Sequence, residues 1–174
     1  MSFDKTVCAI DFETSGRQSH FACAVGLARV EKGLIKDFFY SLIRPPSSYV
    51  MFSDCHGLYW GDLKCAPTFS DVFWQIQEFI EGSDYLVAHN ARFDRRVLQG
   101  CCDFFDEVYP DLEFLDTLKG ARSCLALPSH SLDKLCEHFN IPLEHHKASS
   151  DAAGCAEIYI RLLEMGCPIE DMLI

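Results

Sequence analysis

The chain has 174 residues, of which 49% are apolar, and it carries a net charge of −11. This length and apolar content suit one compact domain with its own core. The acidic balance argues against a protein that coats nucleic acid through a basic surface. It is compatible with an enzyme whose acidic site binds divalent cations, because these cations supply the positive charge that contacts a phosphate. No apolar run is long enough to cross a bilayer, so we expect no membrane partner.

The ten cysteines bear on the cellular compartment. Several of them lie in apolar stretches, where cysteine behaves as a small hydrophobic residue, and the chain contains no Cys-x-x-Cys pair. The N-terminus lacks the basic flank and apolar run of a secretory signal. We therefore expect reduced thiols in a cytoplasmic protein, and the alternative is the disulfide framework of a secreted domain.

Three strands are predicted in the first part of the chain, at residues 6–12, 21–30 and 34–43. These stretches are rich in β-branched and aromatic residues, which is typical of strands. The short turn at residues 31–33 joins the second and third strands as a hairpin.

Helices alternate with short strands in the rest of the chain. A buried strand at residues 85–88 leads into a helix capped by Asn90, and the last long helix follows Ser150. The element order predicts a mixed sheet covered by helices, in one domain spanning residues 1–174. The remaining predicted elements are a helix over residues 69–80, a helix over residues 132–139 capped by Ser131, a strand at 113–115 and a short helix near Asp116.

A pair of carboxylates ends the first predicted strand. Asp11 and Glu13 point to the same side, because side chains alternate along a strand. Two such groups repel each other unless a cation lies between them. The pair therefore indicates a divalent metal site, and a solvated strand end is the alternative.

A third carboxylate, Asp94, follows the buried strand at residues 85–88 in the segment His89-Asn90-Ala91-Arg92-Phe93-Asp94. Open α/β sheets bind ligands at the carboxyl ends of their strands, and Asp94 lies at such an end. The alternative is an acid that only favours the helix dipole.

The third motif is His146-Lys147-Ala148-Ser149-Ser150-Asp151. Asp151 is predicted to open the last helix, which would hold it rigidly, whereas His146 precedes it on a loop that can reach over a site. The alternatives are an ordinary first-turn acid and a surface histidine. We expect neighbouring His145 to be such a surface histidine.

Together the three motifs resemble the DEDDh exonucleases, the family of the proofreading subunit of bacterial DNA polymerase III, RNase T and exonuclease X. The resemblance runs from about residue 7 to about residue 163, and its order and spacing make it specific. It implies a ribonuclease H-like α/β fold, a single domain whose five-stranded mixed sheet is flanked by helices. Other similar stretches are Tyr40-Ser41-Leu42-Ile43-Arg44-Pro45, His56-Gly57-Leu58, Leu115-Asp116-Thr117-Leu118 and His130-Ser131-Leu132-Asp133.

The resemblance also implies a mechanism for phosphodiester hydrolysis with two divalent ions, Mg²⁺ or Mn²⁺. Asp11 would bridge both ions, Glu13 and Asp151 would complete one site, and Asp94 would serve the other. His146 would take a proton from the attacking water. The expected reaction is removal of nucleoside 5′-monophosphates from the 3′ end of DNA, with RNA possible.

Family members hold the terminal 3′-hydroxyl near the position of Thr14, and the other candidates for substrate contact are His56, Leu58 and Asn90. The expected partner is a nucleic acid 3′ end, as a single strand or a 3′ overhang, together with a polymerase or repair protein bound non-covalently. Two other functions remain open: hydrolysis of very short oligonucleotides, and a catalytically silent nucleic-acid-binding module of the same fold.

Overall fold

The computed structural model describes residues 3–174, and a single five-stranded mixed sheet forms its centre. The first three strands pair antiparallel, the fourth runs parallel to the first, and the fifth runs parallel to the fourth. Across the sheet the order is third, second, first, fourth and fifth. The predicted α/β architecture is therefore confirmed. The strands are β1 (Val7–Thr14), β2 (Ala22–Glu31), β3 (Leu34–Leu42), β4 (Tyr85–Ala88) and β5 (Glu113–Asp116).

Helices cover both faces of the sheet. One face of β1, with Cys8, Ile10 and Phe12, packs into a core with the helices over residues 69–80 and 92–105. The other face, with Val7 and Ala9, packs against the helix over residues 148–164. No helix within residues 3–174 has the length and apolar character needed to cross a bilayer. The helices are α1 (Ser53–His56), α2 (Trp60–Leu63), α3 (Phe69–Ile80), α4 (Arg92–Phe105), α5 (Thr117–Cys124), α6 (Leu132–Phe139) and α7 (Ala148–Glu164), with a 3₁₀ turn at Ile169–Asp171.

Two predicted helix starts are wrong. Asn90 does not cap α4: its φ is +67°, and its N–H donates to Asp116 Oδ1 at 3.0 Å. The last helix begins at Ala148 rather than after Ser150, because the backbone N–H groups of Ser150 and Asp151 already bond to the Lys147 carbonyl. In the first place the backbone of Asn90 is held by a distant side chain, and in the second the helix starts earlier on the neighbouring backbone.

Candidate active site

The carboxylates of β1 meet the start of α7. Asp11 and Glu13 share the strand face that carries Val7 and Ala9, so both point toward α7. Asp151 lies in the first turn of that helix and is 4% exposed. Carboxyl oxygens of Asp11, Glu13 and Asp151 all lie within 4.8 Å of one another. Three of the four predicted acids therefore form one cluster.

Gly26, which the sequence analysis missed, sets the distance between this helix and the sheet. It lies opposite Asp11 in the β1–β2 register. A Cβ atom at Gly26 would lie 2.1 Å from the Ala148 carbonyl oxygen and 2.6 Å from the Ser149 nitrogen. Any side chain would push the start of α7 off the sheet. A glycine inside an otherwise apolar strand is the available signal, because it often marks such a close backbone approach.

Asp94 lies behind this cluster, in the first turn of α4, and is 2% exposed. Its Oδ1 accepts a hydrogen bond from the Phe12 N–H at 3.0 Å. Strand β4 pairs with β1 only over residues 7–9, so Asp94 binds β1 beyond the end of that pairing. It is not part of the cluster formed by Asp11, Glu13 and Asp151, but it fixes the backbone between the first two of them.

Burial and mutual repulsion disfavour the ionised forms of the four acids. Burial, followed by the negative charges of Asp94, Asp151 and Glu13, raises the pKa of Asp11 well above its usual value. Burial and the Asp151 charge raise the pKa of Glu13 to about 7. Burial likewise raises the pKa of Asp94 and of Asp151. Ionisation of all four acids is therefore unfavourable unless a cation lies among them, and their oxygen atoms are the ligands that Mg²⁺ and Mn²⁺ prefer.

His146 sits at the edge of the cluster, on the loop before α7. Its backbone has φ +64°, and its N–H donates to Asp151 Oδ2 at 2.9 Å. It lines two neighbouring clefts. The carboxylate cleft, of about 620 Å³, also contains Asp11, Glu13 and Asp151, and the loop cleft, of about 480 Å³, also contains Glu13.

His145 lies at the surface in a turn, as predicted, but it also contacts the acid cluster. Its Nδ1 lies 3.3 Å from Asp151 Oδ1, and its ring stacks on that of His146 with centroids 3.9 Å apart. Its side chain is 40% exposed. Residue type and spacing give no sign of this contact, since it depends on the positive φ of the next residue.

The four predicted substrate residues are distributed over three openings. Asn90 lines the carboxylate cleft, while His56 and Leu58 line the loop cleft. The Leu58 N–H donates to His56 Nδ1 at 3.1 Å, and burial lowers the pKa of His56. Thr14 is 8% exposed and lines a third opening, a groove of about 250 Å³ that also contains Phe93, Arg17 and Arg96.

His89 and Asp116 have structural contacts at the same sheet edge. His89 Nε2 bonds to the His130 carbonyl at 3.0 Å, and Nδ1 lies 2.9 Å from the Thr117 hydroxyl. Burial lowers the pKa of His89 to about 4, so the ring is neutral at physiological pH. Asp116 caps α5 by accepting from the Leu118 and Lys119 N–H groups. The short helix predicted near Asp116 is therefore present as α5.

Comparison with known proteins gives the family. The family model described as "Exonuclease" (RNase T) matches residues 8–159. A DNA polymerase III subunit epsilon from Rickettsia conorii is 32% identical over 168 residues, covering 88% of this chain and 72% of that protein. The PolC-type DNA polymerase III of Thermotoga maritima is 32% identical over 166 residues, or 93% of this chain. The chain spans only 12% of the length of that polymerase.

Solved structures agree with the sequence relatives. Exonuclease X in complex with 5′-overhanging duplex DNA superposes with a TM-score of 0.78 at 25% identity, covering 95% of this chain and 96% of that one. The nuclease domain of 3′hExo, a DEDDh family member bound to rAMP, superposes with a TM-score of 0.81 at 18% identity, covering 95% of both chains. The second likeness supports the fold alone. On the strength of the family match and the relatives, this chain belongs to the exonuclease family, and it carries the motifs of the DEDDh type.

Proposed function

We propose that the protein is a metal-dependent 3′→5′ exonuclease that hydrolyses the terminal phosphodiester of a nucleic acid and releases nucleoside 5′-monophosphates. The observation that carries the proposal is the convergence of Asp11, Glu13 and Asp151 within 4.8 Å in an open cleft that His146 also lines. Such a set of oxygen ligands beside a proton acceptor suits hydrolysis of a phosphate ester at neutral pH.

The carboxylates would bind the divalent ions on which the family depends. Asp11, Glu13 and Asp151 would share one ion, and Asp11 with Asp94 would serve a second. The bound ions would lower the pKa of the attacking water and offset charge on the attacking and leaving oxygens. The rigid parts of the chain, the strand β1 and the first turns of α4 and α7, would keep these acids in place.

His146 would act as the general base and take the proton of the attacking water on a ring nitrogen. Its backbone bond to Asp151 and the stack with His145 orient the ring at the cleft edge. The residue lies in a turn before α7, so these two contacts, rather than a helix or strand, set the position of its ring. An imidazole has the basicity needed to accept a proton near neutral pH.

Three openings would bind the end of the substrate strand. The terminal nucleoside would lie against His56 and Leu58 in the loop cleft and against Thr14, while its phosphate enters the carboxylate cleft beside Asn90. Arg122 lines the carboxylate cleft, and Arg17 and Arg96 line the groove next to Thr14. In a chain with net charge −11, this local positive charge suits the phosphates of an incoming strand.

We further propose DNA as the preferred substrate and a polymerase or repair protein as a non-covalent partner, in the cytoplasm. The support comes from the names of the relatives in Thermotoga maritima and Rickettsia conorii, which are DNA polymerase III proteins. DNA with a recessed or overhanging 3′ end and single-stranded DNA would both fit an open cleft.

The test uses matched DNA and RNA oligonucleotides labelled at either the 5′ or the 3′ end, incubated with Mg²⁺, Mn²⁺ or EDTA. We expect a ladder of shortening products from the 5′-labelled DNA and immediate release of a mononucleotide from the 3′-labelled DNA, both abolished by EDTA. A length series down to the dinucleotide separates trimming of polymers from clearance of short fragments. Release from the 5′ end, or no metal-dependent release, would contradict the proposal and, in the second case, favour a silent binding module.

A further inference from the structure

We propose that His145, His146 and Asp151 form a binding site for Zn²⁺ or a similar transition-metal ion, and that a zinc ion bound there inhibits the nuclease. The three residues offer two imidazole nitrogens and a carboxylate oxygen, all within 4.8 Å of one another. The binding site stands on this geometry alone. The inhibition rests on the proposed function, because it assumes that His146 accepts a proton and that Asp151 binds the catalytic ions.

The spacing of the ligand atoms suits a four-coordinate ion. His145 Nδ1 and Asp151 Oδ1 lie 3.3 Å apart. In a tetrahedral zinc site with bonds of about 2.0 Å, two ligand atoms are separated by about 3.3 Å. Asp151 is already fixed, since its Oδ2 accepts the His146 N–H at 2.9 Å. Its Oδ1 therefore points toward His145 without further rearrangement.

The backbone explains why two successive histidines face the same carboxylate. Successive side chains of an extended chain point to opposite sides. At His146 the chain turns into the left-handed region, with φ +64°, which non-glycine residues seldom adopt. The two rings consequently stack at 3.9 Å with an angle of 23°. His145 is 40% exposed, so its ring has room to rotate toward a shared ion.

This site and the carboxylate cluster should prefer different metals. Imidazole nitrogen favours Zn²⁺, Cu²⁺, Ni²⁺ and Co²⁺, whereas Mg²⁺ and Mn²⁺ favour oxygen ligands. The two sites share Asp151. A zinc ion held by His146 would also occupy the lone pair with which that ring accepts a proton. Zinc would therefore withdraw both a carboxylate and a base from the reaction that magnesium supports.

The experiment measures zinc binding by isothermal titration calorimetry with excess Mg²⁺ present. Three variants of the full chain are compared with wild type: H145A, H145N and the control H138A. Asn at position 145 keeps an N–H that can donate to Asp151 but lacks the imidazole, and His138 is an exposed histidine outside both clefts. We expect wild type and H138A to bind one equivalent of Zn²⁺ that H145A and H145N bind at least about tenfold more weakly.

The same four proteins are then assayed for nucleotide release in Mg²⁺ at increasing Zn²⁺, each relative to its own rate without zinc. The zinc concentration for half inhibition should rise at least about tenfold in H145A and H145N. Equal zinc binding in wild type, H145A and H145N would overturn the proposed site. The contact between His145 and Asp151 would then be only a hydrogen bond. Binding that depends on His145 without any inhibition would overturn the inhibitory role. A wild type without nuclease activity would sink the proposed function, while the titration would still decide the zinc site.

Discussion

The acids of the candidate site and its histidines are held in opposite ways. Asp94 and Asp151 are almost fully buried on the first turns of helices, and Asp11 and Glu13 lie within a strand. His145 and His146 lie on a loop, and His145 is 40% exposed. The rigid part is suited to a permanent cation site, because ligand positions must not drift. The loop is suited to a group that exchanges protons with changing substrate.

The largest expected effect comes from removing the acid at the centre of the rigid part. Asp11→Ala should abolish nucleotide release, because Asp11 clusters with Glu13 and Asp151 and is also close enough to Asp94 for that charge to raise the pKa of Asp11. Calorimetry with Mn²⁺ should show lost or much weaker binding. Asp111→Ala, which removes an exposed acid before β5, is the control and should resemble wild type. Mn²⁺ binding equal to wild type in D11A would mean that the acids do not hold the metal.

Removal of the His146 side chain should affect the rate of hydrolysis rather than metal binding. His146→Ala should lower the rate by about 10²–10⁴-fold, the usual contribution of a general base, while Mn²⁺ binding survives. Single-turnover rates and the same calorimetry separate the two. A rate within a factor of about two of wild type would end the assignment of His146 as base.

Part of this site can be predicted from local sequence rules. Alternation along β1 places Asp11 and Glu13 on one face, and the strand-to-helix order places Asp94 at the edge of the sheet. Asp151 follows a helix and a loop, so its place in the site was implied by the family resemblance. The structure brings together the elements that these local rules predict. Two contacts escape them: the packing of Ala148 on Gly26 and the bond from His145 to Asp151. The first is a long-range backbone approach, and the second follows from one positive φ, so neither leaves a periodic pattern.

Gly26→Ala tests whether the close packing of α7 on the sheet positions Asp151, and it leaves all four acids unchanged. The added Cβ would overlap the Ala148 carbonyl, and overpacking of this kind costs about 1–3 kcal/mol of stability. Because α7 carries Asp151, the variant should also lose activity and bind Mn²⁺ more weakly. Gly61→Ala is the control, since nothing lies within 4 Å of a Cβ there. Urea unfolding measures the first effect, and a G26A protein as stable and active as G61A would contradict the close approach.

The smallest expected effect is on the pH dependence of stability without metal. The pKa of Glu13 is about 7 in the folded chain and ordinarily 4.5, so between these values the folded state binds more protons than the unfolded state. Stability conferred by the protonated carboxyl is therefore present at low pH and is lost as the pH rises from about 4.5 to about 7. In EDTA, the melting temperature of wild type minus that of Glu13→Gln should be lower at pH 8 than at pH 5.

Addition of Mn²⁺ should reverse this trend, because the cation replaces the protons among the acids. The melting temperature of wild type should then rise more at pH 8 than at pH 5. A metal effect that is equal at both pH values would show that the raised pKa of Glu13 is not coupled to metal binding.

The acids around β1 and α7 would together bind divalent cations. Anomalous X-ray diffraction from crystals soaked in Mn²⁺ locates the metal independently of activity. We expect anomalous density between the carboxyl groups of Asp11, Glu13 and Asp151, the groups that lie within 4.8 Å of one another. Manganese bound elsewhere on a well-ordered protein, with no density among these acids, would contradict this expectation.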